Sequence, residues 1–165
     1  MGRYLAGARV LLAGASCREG VGDTRYSGSK LVLRKLAEMG TEVSVHDPYV
    51  HHRYELESQD TYPATGRSWA KFFRIQQDLV NIRAQEDLPA APKGVEALIL
   101  AVRHKPQLKP DEVVKWASRP IAVVDCFGIL EGTEITRYFV LACEVKALGR
   151  GHIQRRKEKV RSARA

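Results

Sequence analysis

A charged, glycine-bearing loop over residues 14–29 carries the most distinctive chemistry of this chain. It holds Arg18 and Arg25, and Ser27 and Ser29 follow them at the start of a helical pattern. Arginine suits bidentate contact with phosphate or carboxylate, and serine oxygens at a helix start accept hydrogen bonds from free N–H groups. A charged loop that leads into a helix N-terminus predicts an anion site. The alternative is a solvated loop whose arginines pair with its own acids.

The same loop departs from the usual phosphate-binding fingerprints. The apolar run before it ends at Gly14, and neither Gly-x-Gly-x-x-Gly nor Gly-x-x-x-x-Gly-Lys-Ser/Thr follows. Those patterns bring backbone N–H groups against a dinucleotide or a nucleoside triphosphate. We therefore do not predict either of these two standard sites.

Cysteine and histidine side chains are weaker candidates for chemistry. Cys17, Cys126 and Cys143 form no Cys-x-x-Cys pair, so neither a zinc knuckle nor a dithiol redox motif is indicated. Cys17 or Cys126 would become a nucleophile only if a nearby cation lowered its pKa. His104 could act as a general acid or base, or serve as a polar cap. We predict no metal site and assign no catalytic residue.

Buried strands alternate with helices in the predicted order of elements. The strand signals are short apolar runs, and the helix signals are apolar residues three or four positions apart. The predicted strands are Val10–Ala13, Glu42–His46, Ala97–Val102, Ile121–Val124 and Val145–Leu148, and the predicted helices are Lys30–Met39, Asp111–Ala117 and Thr133–Ala142. Residues 79–82 fit either an added short strand or a helix end. The pattern predicts an α/β fold, a three-layer Rossmann-like domain with a five- or six-stranded, mostly parallel sheet.

Reactive and charged side chains recur where these strands end. In parallel α/β sheets, ligands bind beyond the carboxyl ends of the strands. The residues at those ends are Cys17 and Arg18, His46 and Asp47, Arg103 and His104, and Asp125, Cys126 and Phe127. We therefore expect the loop arginines to share one edge of the sheet with His104 and Phe127.

Several of these segments, taken in chain order, resemble one protein family. They are Gly14-Ala15-Ser16-Cys17-Arg18, Gly22-Asp23-Thr24-Arg25-Tyr26-Ser27, Gly40, and Val45-His46-Asp47-Pro48. The arrangement is similar to that of the C-terminal, nucleotide-sugar-binding domain of the UDP-glucose/GDP-mannose dehydrogenases. The likeness covers nearly all of residues 1–152, and Asp-Thr-Arg is its most specific segment.

The resemblance implies a ligand and the residues that bind it. The ligand is a UDP-sugar or a related nucleotide sugar. From the motifs and the strand ends, the expected ligand-binding residues are Cys17, Arg18, Asp23, Thr24, Arg25, Ser27, His104 and Phe127. In the family, a lysine stands at the position of Arg18, an aromatic residue at that of Cys17, and a phosphate-contacting arginine at that of Phe127.

The resemblance also implies which parts of a dehydrogenase lie elsewhere. The family's NAD-binding half, its catalytic cysteine and the linking helix fall outside the similar segment. We expect this chain to bind no cofactor, with NAD reaching the substrate only through a missing or partner dehydrogenase domain. On that basis the chain alone does not oxidise a nucleotide sugar. The alternative is a small stand-alone enzyme or sensor that uses the cleft cysteines and histidine on an unknown phosphorylated ligand.

The net charge of +8 is concentrated at the C-terminus. Residues 150–165 contain seven Lys and Arg and one acid, and so carry +6 of that charge. We predict one nucleotide-sugar-binding domain at 1–152 and a solvated basic tail at 153–165, and we do not expect nucleic acid as a partner.

No apolar run approaches the roughly 20 residues that span a bilayer. The N-terminus also lacks a signal-peptide core, so we expect a cytoplasmic protein without membrane contact.

Overall fold

The strand Arg9–Ala13, here β1, lies at the centre of the sheet. The structure is a computed structural model, and it describes residues 5–24, 27–50, 83–85, 94–104 and 109–163. The other strands are β2 (Glu42–His46), β3 (Arg83–Gln85), β4 (Ala97–Leu100), β5 (Ala122–Asp125) and β6 (Glu144–Ala147). The helices of this part of the chain are α1 (Gly28–Glu38), α2 (Pro110–Ala117), α3 (Gly132–Val140) and α4 (Ile153–Ser162).

The six strands form one sheet in the order β3-β2-β1-β4-β5-β6, and all their pairings are parallel. Leu11 of β1 lies opposite Ser44 on one side and Leu98 on the other. This is the doubly wound order, whose topological switch point lies between β1 and β4. The predicted Rossmann-like, mostly parallel sheet is confirmed. Residues 79–82, predicted as a strand or a helix end, lie outside the described residues.

Side chains of β1 point alternately to the two faces of the sheet, and the core accordingly forms two clusters, one on each face. Leu11 and Ala13 belong to a cluster with buried residues of α2, α3 and α4, whereas Val10 and Leu12 cluster with Leu33 of α1. Successive side chains of a strand point to opposite faces. Helices therefore cover both faces of the sheet, and the predicted three-layer arrangement is confirmed.

Helix α1 begins at Gly28 rather than at the predicted Lys30, because Ser27 caps it. The Ser27 Oγ accepts the N–H of Ser29 at 3.2 Å, which satisfies one of the free donors of the first turn. The helix ends at Glu38. It is 11 residues long, and none of the helices within the described residues is long and apolar enough to cross a membrane.

The basic C-terminal segment is helical, where a solvated tail was predicted. Ile153 of α4 is buried in the core, and Val160 packs against the same cluster. Lys157 forms an ion pair with Glu144 of β6, and a guanidinium N–H of Arg156 donates to the Gly132 carbonyl at 3.3 Å. Two apolar residues and these polar contacts anchor the helix. The domain boundary at residue 152 stays a prediction.

Candidate ligand-binding site

The carboxylate of Asp47, at the end of β2, organises the loop that follows β1. Its Oδ2 accepts the N–H of Ala15 at 2.7 Å and the N–H of Ser16 at 2.9 Å. Its Oδ1 accepts the N–H of Tyr49 at 2.9 Å. Asp47 is buried, and an ionised carboxylate is a pure acceptor that suits several converging donors. The Asp-Pro end of β2 therefore fixes the path of the chain as it leaves β1.

His104, beyond the end of β4, closes the same network. Its Nε2 lies 2.9 Å from Asp47 Oδ2 and 3.0 Å from Ser16 Oγ. Its Nδ1 lies 3.4 Å from the backbone nitrogen of Gly20, and its ring centroid lies 5.2 Å from that of Tyr49. The imidazole thus contacts both the start and the middle of the loop.

The three side chains do not form a nucleophilic triad. A triad needs one imidazole nitrogen on the carboxylate and the other on the hydroxyl, but here Nε2 of His104 contacts both. The buried hydroxyl of Ser16 is within donating distance of the Arg18 carbonyl, at 2.9 Å. The His104 side chain is only 7% exposed. The group therefore positions the loop, and the polar-cap interpretation of His104 fits this geometry.

The electrostatics of Asp47 agree with a positioning role. Burial raises the pKa of this carboxyl, but the N–H donors of Ser16, Tyr49 and Ala15 and the nearby His104 outweigh burial, so the net shift is downward. Hydrogen bonds to the charged form favour ionisation. Asp47 is therefore a permanent anion at neutral pH.

Two serines join the loop to helix α1. The Ser27 hydroxyl donates to the Ser16 carbonyl at 3.0 Å, and the Ser29 hydroxyl donates to the Gly14 carbonyl at 2.8 Å. Within the loop, the Cys17 N–H donates to a carbonyl oxygen six residues later at 2.7 Å. These bonds hold the start of α1 against the chain that leaves β1. The N-terminus of the helix therefore lies at the carboxyl edge of the sheet, next to the switch point.

Gly14 allows this close approach because it has no side chain. Its φ is +101°, a region that favours glycine. A Cβ built there would lie 2.5 Å from the Cβ of Val102, which follows β4. The backbone turn after β1 therefore packs directly on the segment that leads to His104.

The predicted loop residues divide into exposed and buried groups. Cys17 and Arg18 are exposed, and Asp23 is half-buried. Thr24 and Ser27 are buried. Arg25, which was predicted to contact phosphate, lies outside the described residues. Arg18 is thus an exposed cation in the loop that the Ser16–Ser27 hydrogen bond joins to the start of α1.

Phe127 stands on a rigid turn at the end of β5. The buried carboxylate of Asp125 accepts the N–H groups of Phe127, Ile129 and Leu130 at 2.9 to 3.2 Å. Arg150 donates to the carbonyls of the same turn. Phe127 itself is 72% exposed, so the turn holds an aromatic ring in solvent at the edge where ligands of this fold bind.

The surroundings of Cys126 oppose its activation as a nucleophile. Burial, and then the neighbouring Asp125, raise the pKa of the Cys126 thiol, and a raised pKa leaves less thiolate at neutral pH. Cys17 is exposed. Within the described residues, no group of three or more His, Cys, Asp or Glu side chains could hold a metal ion.

The strand order and this edge together define a class of protein. They are those of a doubly wound, Rossmann-like α/β domain with an exposed arginine and a helix N-terminus in the chain that follows β1. A family model, described as the UDP-glucose/GDP-mannose dehydrogenase family, UDP binding domain, matches residues 11–132. The chain therefore belongs to the UDP-glucose/GDP-mannose dehydrogenase family, as its sequence motifs indicated.

A solved structure shares the fold. The crystal structure of NDP-N-acetyl-D-galactosaminuronic acid dehydrogenase from Methanosarcina mazei Go1 matches 93% of this chain with a TM-score of 0.68. The sequence identity is 20%, so this similarity establishes the fold alone. The match covers 27% of that dehydrogenase, which is thus much longer than this chain. No curated protein matches the chain in sequence.

The turn after β1 does not fit a dinucleotide cofactor. Dinucleotide-binding domains have a tight glycine-rich turn there, and an acid at the end of β2 that binds the ribose. Here a long loop separates Gly14 from the helix cap at Ser27. Asp47, at the end of β2, is buried and already bonded to backbone N–H groups and His104. The described residues at this turn therefore depart from the dinucleotide-binding pattern.

Three residues of this region were not among the predicted ligand-binding set: Ser16, Lys30 and Asp47. Asp47 was recognised as a strand-end residue, but its role as an acceptor depends on the conformation of a loop 31 and 32 residues earlier. Lys30 is buried in the first turn of α1. The available signal for Lys30 was a cation in a first helical turn that holds no acid, the reverse of the usual preference.

Proposed function

We propose that this domain binds a nucleotide sugar, in the first instance a UDP-sugar, at the carboxyl edge of its sheet. The observation that carries the proposal is the exposed Arg18 in a loop that hydrogen bonds join to the N-terminus of α1. Backbone N–H groups at a helix start and an arginine are complementary to a diphosphate. Family membership supports the same ligand class, since the matching model is described as a UDP binding domain.

The loop is organised before any ligand arrives. Asp47 and His104 hold its first residues, and the Ser16 hydroxyl contacts the Arg18 carbonyl. The serine bonds fix α1 relative to the same loop. Preorganisation reduces the entropy lost on binding. In this proposal the buried network holds the binding groups in place, and the exposed residues make the contacts.

The domain would act as one part of an NAD-dependent dehydrogenase. Family membership supports that place, and the described turn after β1 does not fit a dinucleotide. In this proposal a cofactor-binding dehydrogenase domain brings the nicotinamide, and this domain supplies affinity for the nucleotide and orientation of the sugar. The residues of this chain bind and position the substrate.

Calorimetric titration with UDP, UDP-glucose and uridine tests the proposal. We expect the wild-type chain to bind UDP and UDP-glucose more tightly than uridine, because the phosphates supply charge-assisted hydrogen bonds. Arg18→Ala and Arg25→Ala should each weaken UDP binding by roughly tenfold or more. Arg155→Ala, on the exposed side of α4, is the matched control and should bind as wild type. The proposal would be refuted if the wild type did not bind UDP. It would also be refuted if Arg18→Ala and Arg25→Ala bound UDP as tightly as the Arg155→Ala control.

A further inference from the structure

The side chain of Lys30, in the first turn of α1, is buried and has no polar partner among the described residues. It is 5% exposed, and among the described residues no hydrogen bond or ion pair involves its ammonium group. Burial, and then the charge of Arg34 one turn later, lower its pKa. Burying an unpaired charge is unfavourable, so an ammonium group in this position requires an explanation.

The electrostatic surroundings within the helix are also unfavourable for a cation. The first turn of α1 contains no acid, and the N-terminus of a helix carries a partial positive charge. Lys30 and Arg34 are four residues apart, a spacing at which like charges repel. The acid of this face, Glu38, interacts with Arg34 a further turn away from the helix start. The positive end of the helix therefore carries a further positive charge, that of Lys30.

This end of the helix lies at the candidate site. Ser27 and Ser29 bond it to the loop after β1. Helical side chains lean toward the N-terminus, so the stem of Lys30 leads back toward the turn at Gly28. A Cβ built on Gly28 would meet no atom within 4 Å. The first turn thus combines an open position at Gly28, the positive end of the helix dipole and a buried lysine side chain.

We propose that Lys30 and the N-terminal N–H groups of α1 together bind the diphosphate of the nucleotide ligand, an inference that rests on the proposed function. A phosphate oxyanion at this place would reverse each unfavourable feature, because it pairs the ammonium, complements the helix dipole and screens Arg34 from Lys30. A lysine ammonium is a compact point charge that serves as a phosphate ligand. Lys30 would then add a buried contact to the exposed one from Arg18.

Lys30→Met, which keeps most of the stem and removes the charge, is the decisive variant. Without ligand we expect it to melt at a higher temperature than wild type, since a buried unpaired charge has been removed. With UDP we expect its affinity to fall by roughly tenfold or more. Lys35→Met is the matched control, because the Lys35 side chain on the same helix is 71% exposed, and it should leave both the melting temperature and the UDP affinity near wild type.

Proton uptake gives a readout that a purely structural lysine would not move. An anion beside Lys30 raises its lowered pKa, so binding at alkaline pH draws a proton from the buffer. Titrations of UDP in two buffers with different ionisation enthalpies should show uptake for wild type and for Lys35→Met, but none for Lys30→Met.

Pyrophosphate as a second probe separates this inference from the proposed function. If pyrophosphate stabilises wild type but not Lys30→Met while UDP binds no better than pyrophosphate, the anion site stands and the nucleotide-sugar assignment fails. If UDP binds wild type and Lys30→Met equally and Lys30→Met melts at a lower temperature, Lys30 is structural and the inference is wrong. If wild type binds neither probe, both proposals fall.

Discussion

His104 Nε2 lies 2.9 Å from Asp47 Oδ2, although 57 residues separate the two in sequence. Asp47 follows β2 and His104 follows β4, and β1 lies between these strands in the sheet. The contact therefore passes over the carboxyl end of β1. It holds the loop after β1 against the sheet, and this loop carries Arg18.

Asp47→Asn should destabilise the domain without unfolding it. The amide keeps the shape of the side chain but replaces one acceptor oxygen with a donor, which faces N–H groups of the loop. We expect a loss of about 2 kcal/mol in the free energy of unfolding, measured by urea titration. Asp111→Asn, an exposed carboxylate on α2 that pairs with Arg137, is the control and should change stability little. If the two substitutions reduced the free energy of unfolding equally, Asp47 would not be the residue that organises the loop after β1.

Acid should weaken the folded state through the same carboxylate. Burial raises the pKa of Asp47, but its N–H donors and His104 lower it further, so the folded pKa lies below the ordinary 3.8. A depressed pKa contributes stability that is complete above the unfolded value and disappears as pH falls through the folded one. Below about pH 4, the urea midpoint of wild type should therefore fall more steeply than that of Asp47→Asn. If the urea midpoints of wild type and Asp47→Asn fell equally steeply below that pH, this assignment would be contradicted.

Two glycines should respond oppositely to alanine. At Gly14 a Cβ would lie 2.6 Å from the backbone nitrogen of Val102, and φ is +101°, so Gly14→Ala should destabilise the domain by about 2 kcal/mol or more. At Gly28 the space is open. Gly28→Ala should stabilise the domain by about 0.5 kcal/mol, because alanine lowers the conformational entropy of the unfolded chain. Thermal unfolding measures both. A tolerated Gly14→Ala would show that the turn after β1 can move away from Val102.

Alkylation should distinguish the three cysteines. Iodoacetamide at neutral pH is expected to modify the exposed Cys17 first. Burial raises the pKa of both Cys126 and Cys143, and Asp125 adds to the effect at Cys126, so both should react more slowly. Peptide mass spectrometry over time measures the order, and the urea-unfolded chain should lose it. Faster reaction of Cys126 would favour the alternative of a small enzyme with a cysteine nucleophile.

Phe127→Arg should increase affinity for UDP. The resemblance places a phosphate-contacting arginine at this position, and the turn should survive because its bonds to Asp125 come from the backbone. A new charge-assisted bond to phosphate should strengthen binding by roughly tenfold or more, with a steeper salt dependence. Phe127→Leu adds no charge and is the control for loss of the ring. If Phe127→Arg binds UDP no more tightly than wild type, the phosphates do not reach this turn.

The fold was predictable because its signals are local. The apolar run of β1 and the helical stripe of α1 are patterns of neighbouring residues. Alternation of strands and helices then restricts the topology to a parallel sheet covered on both faces. The C-terminal helix was missed because its strongly basic composition hides the two apolar residues, Ile153 and Val160, that attach it to the core.

The candidate site was predictable only in outline. Contiguous motifs located the loop, the Asp-Pro end of β2 and the edge of the sheet. The motifs did not show that Thr24 is buried, that His104 is bonded to Asp47, or that Phe127 is exposed. Each of these properties depends on residues from other elements.

The sequence by itself determined the alternation of buried strands and helices up to the basic C-terminal segment, and which edge of the sheet carries the chemically active residues. Tertiary structure alone decided which of those residues hold the loop and which face solvent. The physical reason is that burial and hydrogen bonding join residues far apart in the chain, as the carboxylate of Asp47 joins Ser16 to His104. The same separation explains why Lys30, an ordinary lysine in a helical pattern, becomes a buried cation only in the folded domain.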